Sequence, residues 1–188
     1  LIPRSNNPFA ANGVRRISRN IPYKNLEGEM AVSSDDPKGT PAALLRVLFE
    51  KFDAKDQKLI RSVRSAVRKR LPTANELVYD YKTFFVIGYS PTDQPTDGIV
   101  SIAARPDGVR LYLMQGPQLS DPKKLLMGSG KQTRFIRVEA ARQLAHPDVE
   151  ALIAAAIDRA RVPLATDGRG ELVIRTFAGK QLRRRQAK

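Results

Sequence analysis

Cysteine and tryptophan are missing from this 188-residue chain, and it holds a single histidine. Without cysteine there is no disulfide framework, no thiolate metal site and no cysteine nucleophile. One histidine rules out every multi-histidine metal centre. Long apolar runs are missing too. The longest, Ala151–Ile157, has seven residues, against the roughly 20 that a membrane-crossing helix needs, so no membrane partner is expected. Acidic residues are scarce beside basic ones: Lys and Arg number 33 and Asp and Glu 19, a formal charge of +14. What remains is ordinary globular composition, 41% hydrophobic and 28% charged, and the length suits one domain with a real core plus tails.

The positive charge is unevenly spread. Residues 1–29 carry a net +3 and residues 180–188, with Arg183, Arg184 and Arg185, a net +5. A field of this sign concentrates phosphates and other polyanions, and salt weakens it. The plainer reading is that basic tails keep a protein dissolved. Residues 1–24 are rich in Asn, Arg, Ser and Pro without apolar periodicity, and bury too little to offset ordering entropy. Met30 and the Ala-Val-Ser-Ser-Asp-Asp-Pro after it read like a natural start. The expected organisation is a disordered leader over 1–37 with the native start at Met30, a domain over 38–162, and an extension over 163–188 holding a strand at 172–177 and the basic tail.

Thr40-Pro41 is a helix-start signal, and Leu44, Leu45, Leu48, Phe49 and Phe52 form one apolar stripe after it. A second helix is expected from about Asp53 to Arg70, with Leu59, Ile60, Val63 and Val67 inward and Pro72 ending it. Then the period changes. Glu76–Tyr81, Thr83–Tyr89, Gly98–Ala104 and Val109–Gln115 are short, β-branched and aromatic, with turn chemistry between them. Pro106-Asp107-Gly108 predicts a tight hairpin. A short helix from Ser120-Asp121-Pro122 to Gly128, a strand over Gln132–Val138 and a helix from Pro147 to about Arg161 complete the order. The fold class is α+β: an antiparallel sheet of about five strands, packed on one face by three to four helices, the other face open.

Several blocks are similar to the YdhG-like domain family, a bacterial domain of unknown function. They are Val78–Tyr81, Phe85–Thr92, Leu111–Gly116 and Leu119–Arg137, and the likeness runs over residues 43–162. Gly168–Gly170 and Ala178–Gln181 resemble the extension in one subgroup. The resemblance implies a small cytoplasmic fold with helices on an antiparallel sheet and, for most members, no assigned activity. One branch is likened to frataxin, which implies iron delivery as an alternative function with iron as the cargo. Tyr79-Asp80-Tyr81 stands here where the wider family has Tyr-Gly-x-Pro.

Two cationic groups are candidates for an anion site. Gly128-Ser129-Gly130-Lys131 is not a P-loop: Leu125 and Gln132 stand where that motif needs Gly and Ser or Thr, and the order of helix and strand is reversed. Yet glycines can aim successive N–H groups at an anion, and Lys131, Arg134 and Arg137 follow. On a regular strand Lys131 and Arg137 share a face and Arg134 does not. A glycine turn with solvated charges is the plainer account. In the second group, Arg61, Arg64 and Arg68 share one helix face, where like charges repel; water, carboxylates from elsewhere or an anionic partner would relieve them. Nucleic acid or a phosphorylated small molecule is the expected partner, although no helix-turn-helix or RNA-binding signature is present. Asp80 is the one acid within a family-like block and the weak candidate for iron, which prefers clustered carboxylates or imidazoles. No nucleophile–base pattern exists. His146 reads as a surface turn residue, and the tyrosines as core or sheet-face aromatics. The expectation is a binding protein without chemistry of its own.

Overall fold

The computed structural model describes residues 39–176. The leader, the start at Met30, Phe177 and Arg183–Arg185 lie outside the described residues. Helix α1 is Pro41–Phe49, and the Thr40 side chain accepts from the Ala43 N–H at 3.2 Å. Helix α2 is Ala54–Arg70, capped by Asp53, whose carboxylate accepts from the Asp56 N–H at 2.8 Å. Helix α3 is Pro147–Asp158. The stripes read from the sequence are buried: Leu44, Leu45, Leu48 and Phe49 of α1, Ile60, Val63 and Val67 of α2, and Val149, Leu152, Ile153 and Ala156 of α3.

The strands are β1 (Asn75–Asp80), β2 (Phe85–Ser90), β3 (Val100–Arg105), β4 (Gly108–Met114), β5 (Thr133–Val138) and β6 (Leu172–Thr176). They form one six-stranded sheet in the order β5-β4-β3-β2-β1-β6. The first five make an antiparallel meander, whereas β6 lies parallel to β1. The sheet is thus one strand wider than the expected five, because the C-terminal extension completes it. The β3–β4 hairpin turns on Pro106-Asp107, with Gly108 at φ 114°, a conformation glycine adopts without steric cost.

The expected helix over Ser120–Gly128 is absent. The Asp121 carboxylate accepts from the N–H groups of Leu125 and Leu126 at 2.9 and 2.7 Å, and Lys124 takes φ 54°. A short acidic side chain has here captured the backbone donors in a loop, the competition that makes Asp a poor helix interior residue.

Alternation gives the sheet two different faces. Ile174, Val78, Ile87, Ile102, Leu111 and Ile136 make a continuous row under the helices. Tyr79, Val86, Ala103, Arg110 and Arg137 make the neighbouring row on the opposite face. All three helices contribute to the first core; the smaller cluster on the second face, Val86, Ala103 and Tyr112 with Tyr79, Tyr81, Phe84 and Phe135 against it, comes from strands and the β1–β2 turn. Among the described residues no helix covers that outer face.

Candidate functional site

The cations of α2 do not form an open anion face. Glu76 points inward from β1 and is 1% exposed. Its Oε1 accepts from Arg64 Nε at 2.9 Å and from the Tyr89 hydroxyl at 3.0 Å; its Oε2 accepts from Arg64 Nη2 at 2.6 Å and from Arg68 Nη1. A buried carboxylate needs such compensation. Burial pushes the Tyr89 hydroxyl well above the usual phenol range, and the negative charge of Glu76 beside it adds to the effect. Burial pulls Arg64 down, but its hydrogen bond to Glu76 and that residue's charge outweigh this and hold it above its ordinary value. Arg61 lies over the Phe49 ring at 4.2 Å, a cation–π contact. The expectation of Arg61, Arg64 and Arg68 as one ligand-binding set is therefore corrected. Two of the three neutralise an internal acid, which is one of the reliefs open to them.

The glycine segment is also put to a different use. Gly128 has φ 97°, and a Cβ there would come within 3.2 Å of the Phe135 ring. Met127 and Phe135 exchange backbone hydrogen bonds at 2.8 and 3.0 Å, so this stretch straps the outer edge of β5. Arg134 Nη1 donates to the carbonyls of Gly130 and, at 3.0 Å, Thr133. Arg134 thus closes the loop internally rather than facing an anion. Lys131 and Arg137 are exposed. The pairing of Arg137 with Arg110 sets Arg137 on the outer face, while α2 packs on the inner one. The sequence-read cations therefore do not converge on a single zone.

The outer face does gather cations, around residues that were not singled out as candidates. Tyr81 and Phe84 stack with centroids 4.8 Å apart and planes 12° from parallel. The Arg105 guanidinium lies 4.8 Å from the Phe84 centroid, and that of Arg110 4.9 Å from the Phe135 centroid. Phe135 in turn touches Tyr112 at 5.2 Å. Asp107, in the hairpin turn, accepts from Arg105 Nε at 3.2 Å and from Arg110 Nη2, fixing both guanidinium planes. Arg110 Nε is buried and, among the described residues, has no hydrogen-bond partner. Arg110 and Arg137 stand directly opposite one another across the β4–β5 pair, where like charges are unfavourable. Arginine at one end and aromatic or apolar residues along the same alternate positions, as in Arg110, Tyr112 and Met114 or Phe135 and Arg137, is the signal that sequence reading could have used.

Asp80 is engaged elsewhere. Its Oδ1 accepts from Lys51 Nζ and from the Lys82 N–H at 3.0 Å. A lysine occupies the oxygen a metal ion would take. Among the described residues no three His, Asp or Glu side chains gather as a metal site requires. His146 caps α3, its Nδ1 accepting from the Asp148 N–H at 3.4 Å. No described helix is long and apolar enough to cross a membrane.

Comparison of the chain with family models, curated proteins and solved structures gives no match in any of the three.

Proposed function

We propose that this protein binds single-stranded nucleic acid on the outer face of its sheet. The observation that carries the reading is the combination of Arg105, Arg110 and Arg137 with partly exposed aromatic rings on a face that no described helix covers. Successive bases stack on aromatic rings or on guanidinium planes, and a positive groove tracks the phosphates. The Arg110–Phe135 and Arg105–Phe84 pairs present such planes. A phosphate between Arg110 and Arg137 relieves their mutual repulsion. From Arg137 to Tyr79 the face crosses four strand spacings, about 19 Å, which suits about three nucleotides. A duplex fits this face poorly, since its bases are paired and stacked inside and offer nothing to the rings.

In the same sense we propose that the chain is a divergent relative of the YdhG-like family acting in the cytoplasm, a binding protein without chemistry of its own. The supporting observation is an α+β fold of the expected layering.

Fluorescence anisotropy with labelled ten-nucleotide single strands, with a hairpin duplex as control, tests the reading. Binding of the single strands in the micromolar range is expected, with Phe135→Ala weakening it about tenfold and Arg137→Gln, an exposed change that spares the core, weakening it severalfold. Failure of the wild type to bind, or unchanged affinity in both variants, overturns it.

A further inference from the structure

A cleft of about 340 Å³ opens where β4 stops and β3 and β5 begin. Its lining includes Asp97, Met114, Gln118, Lys131, Gln132 and Arg161. Met114 lies two residues beyond Tyr112 on β4 and pairs with Thr133, so it belongs to the same outer face as Tyr112 and Phe135. The cleft thus meets the outer face through Met114, at the end of the Arg110–Tyr112–Met114 line along β4.

Local geometry holds its walls. Gln115, at φ 53°, turns the chain out of β4 into a short 3-10 turn over Gly116–Gln118. The Gln115 amide donates to the Arg159 carbonyl at 2.7 Å, and Arg159 Nη2 donates to Gln118 Oε1 at 2.5 Å. These bonds fasten the end of α3 to the turn and bring Arg161, two residues on, to the rim. On the other side Thr92 Oγ1 donates to Asp97 Oδ2 at 2.8 Å, which fixes the carboxylate and leaves Oδ1 facing no other hydrogen-bond donor among the described residues. Lys131 and Arg161 are exposed and, among the described residues, form no ion pair.

Two unspent cations at the end of a cationic track match a doubly charged group. An internal phosphodiester carries a single charge. A terminal phosphomonoester carries about −2 at neutral pH and three acceptor oxygens. The turn at 116–118 and the segment at 95–98 wall the cleft, so a strand arriving along the sheet ends here more readily than it passes through. The Asp97 carboxylate, which only accepts hydrogen bonds, repels the phosphate but takes hydroxyl or amino donors of the attached nucleoside. The carboxylate and the cations therefore define the orientation of one nucleotide.

We infer that this cleft seats the phosphorylated end of the bound strand, with the terminal phosphate between Lys131 and Arg161 and the nucleoside donors turned to Asp97. This rests on the sheet face being the strand-binding surface. The test compares one ten-nucleotide sequence with a 5′-phosphate, a 3′-phosphate or no phosphate. One of the two phosphorylated forms is expected to bind about tenfold tighter than the bare strand. The double variant Lys131→Gln, Arg161→Gln, at two exposed positions, is expected to bind all three alike, near the wild-type affinity for the bare strand. Equal wild-type affinity for the three strands, with Arg137→Gln still weakening each, overturns the terminal site and leaves the sheet reading standing. A preference that survives the double variant also overturns it. Absence of binding by every strand overturns both.

Discussion

Glu76 concentrates the electrostatics of the fold in one side chain. It sits under the helices, and two guanidinium groups and one phenol donate to it. The stripe of Arg61, Arg64 and Arg68 is plain in the sequence, but its partner is not. Glu76 reads there only as the first residue of a strand, because nothing local shows that β1 turns it toward α2. The cluster has a pH consequence. In the unfolded chain Tyr89 loses its proton near pH 10; in the fold, burial and then Glu76 hold the proton on to higher pH. Its stabilising effect is complete below pH 10. Above that the folded state binds the extra proton, so stability falls, by up to about 1.4 kcal/mol per pH unit, until the folded group titrates too. Urea unfolding from pH 8 to 11 should show a steeper alkaline decline in wild type than in Tyr89→Phe. Parallel declines would mean that Tyr89 does not titrate in this way.

Among the elements, β6 is the one whose place depends most on a single residue. A Cβ at Gly170 would fall 1.8 Å from the Ala74 carbonyl oxygen. The glycine lets the chain lie against Pro72–Ala74, where its N–H donates to the Pro72 carbonyl at 3.1 Å and the Glu76 N–H reaches the Glu171 carbonyl at 2.7 Å. Gly170→Ala should lift β6 from β1. Hydrogen exchange should then rise at least tenfold for the amides of Leu172–Thr176, with the β3–β4 hairpin unchanged; equal protection in both proteins would contradict the role given to this contact. The strand itself is legible from Leu172-Val173-Ile174. Its parallel pairing is not, because its neighbour is distant in sequence and the glycine's need comes from that neighbour. The loop at Ser120–Gly128 fails as a helix for the opposite reason. The start signal at Asp121 is genuine, but the same carboxylate satisfies donors in a loop. Helices α1, α2 and α3, with long stripes and caps, are readable at their starts, while the expected ends overshoot by about three residues in α1, whose stripe runs on to Phe52, and in α3, which ends at Asp158 and not Arg161.

At the scale of the whole molecule, the sheet sets many of the cations of the described residues on two different sides. On the helical side the four arginines of α2 are engaged: Arg64 and Arg68 by Glu76, Arg61 over the Phe49 ring and Arg70 by Glu150 at 2.5 Å. On the outer side Arg105 and Arg110 share one acid, Asp107, and lie over rings, and Arg137 is exposed. Periodicity told which residues of each strand share a side, but not which side the helices would take. Hence Arg105 and Arg110 passed as ordinary strand residues while Arg64 and Arg68 drew attention. If three outer arginines neutralise three phosphates, log K for a single strand should fall against log salt with a slope of about −2. Anisotropy titrations between low and moderate salt measure it. A flat dependence would mean that affinity comes from stacking alone.

The parallel β6 also bears on how the chain is made. Thr176 donates to the Asp80 carbonyl across 96 positions of sequence. On a ribosome adding about 5–20 residues per second, β1 therefore waits roughly 5–20 s with its flank open before its neighbour emerges. During that interval the nascent meander presents an unsatisfied ladder of backbone groups, the kind of template on which chains associate wrongly. Early chaperone contact thus matters more for β1 than for β2, β3 or β4, both of whose neighbours in the sheet are also their neighbours in sequence.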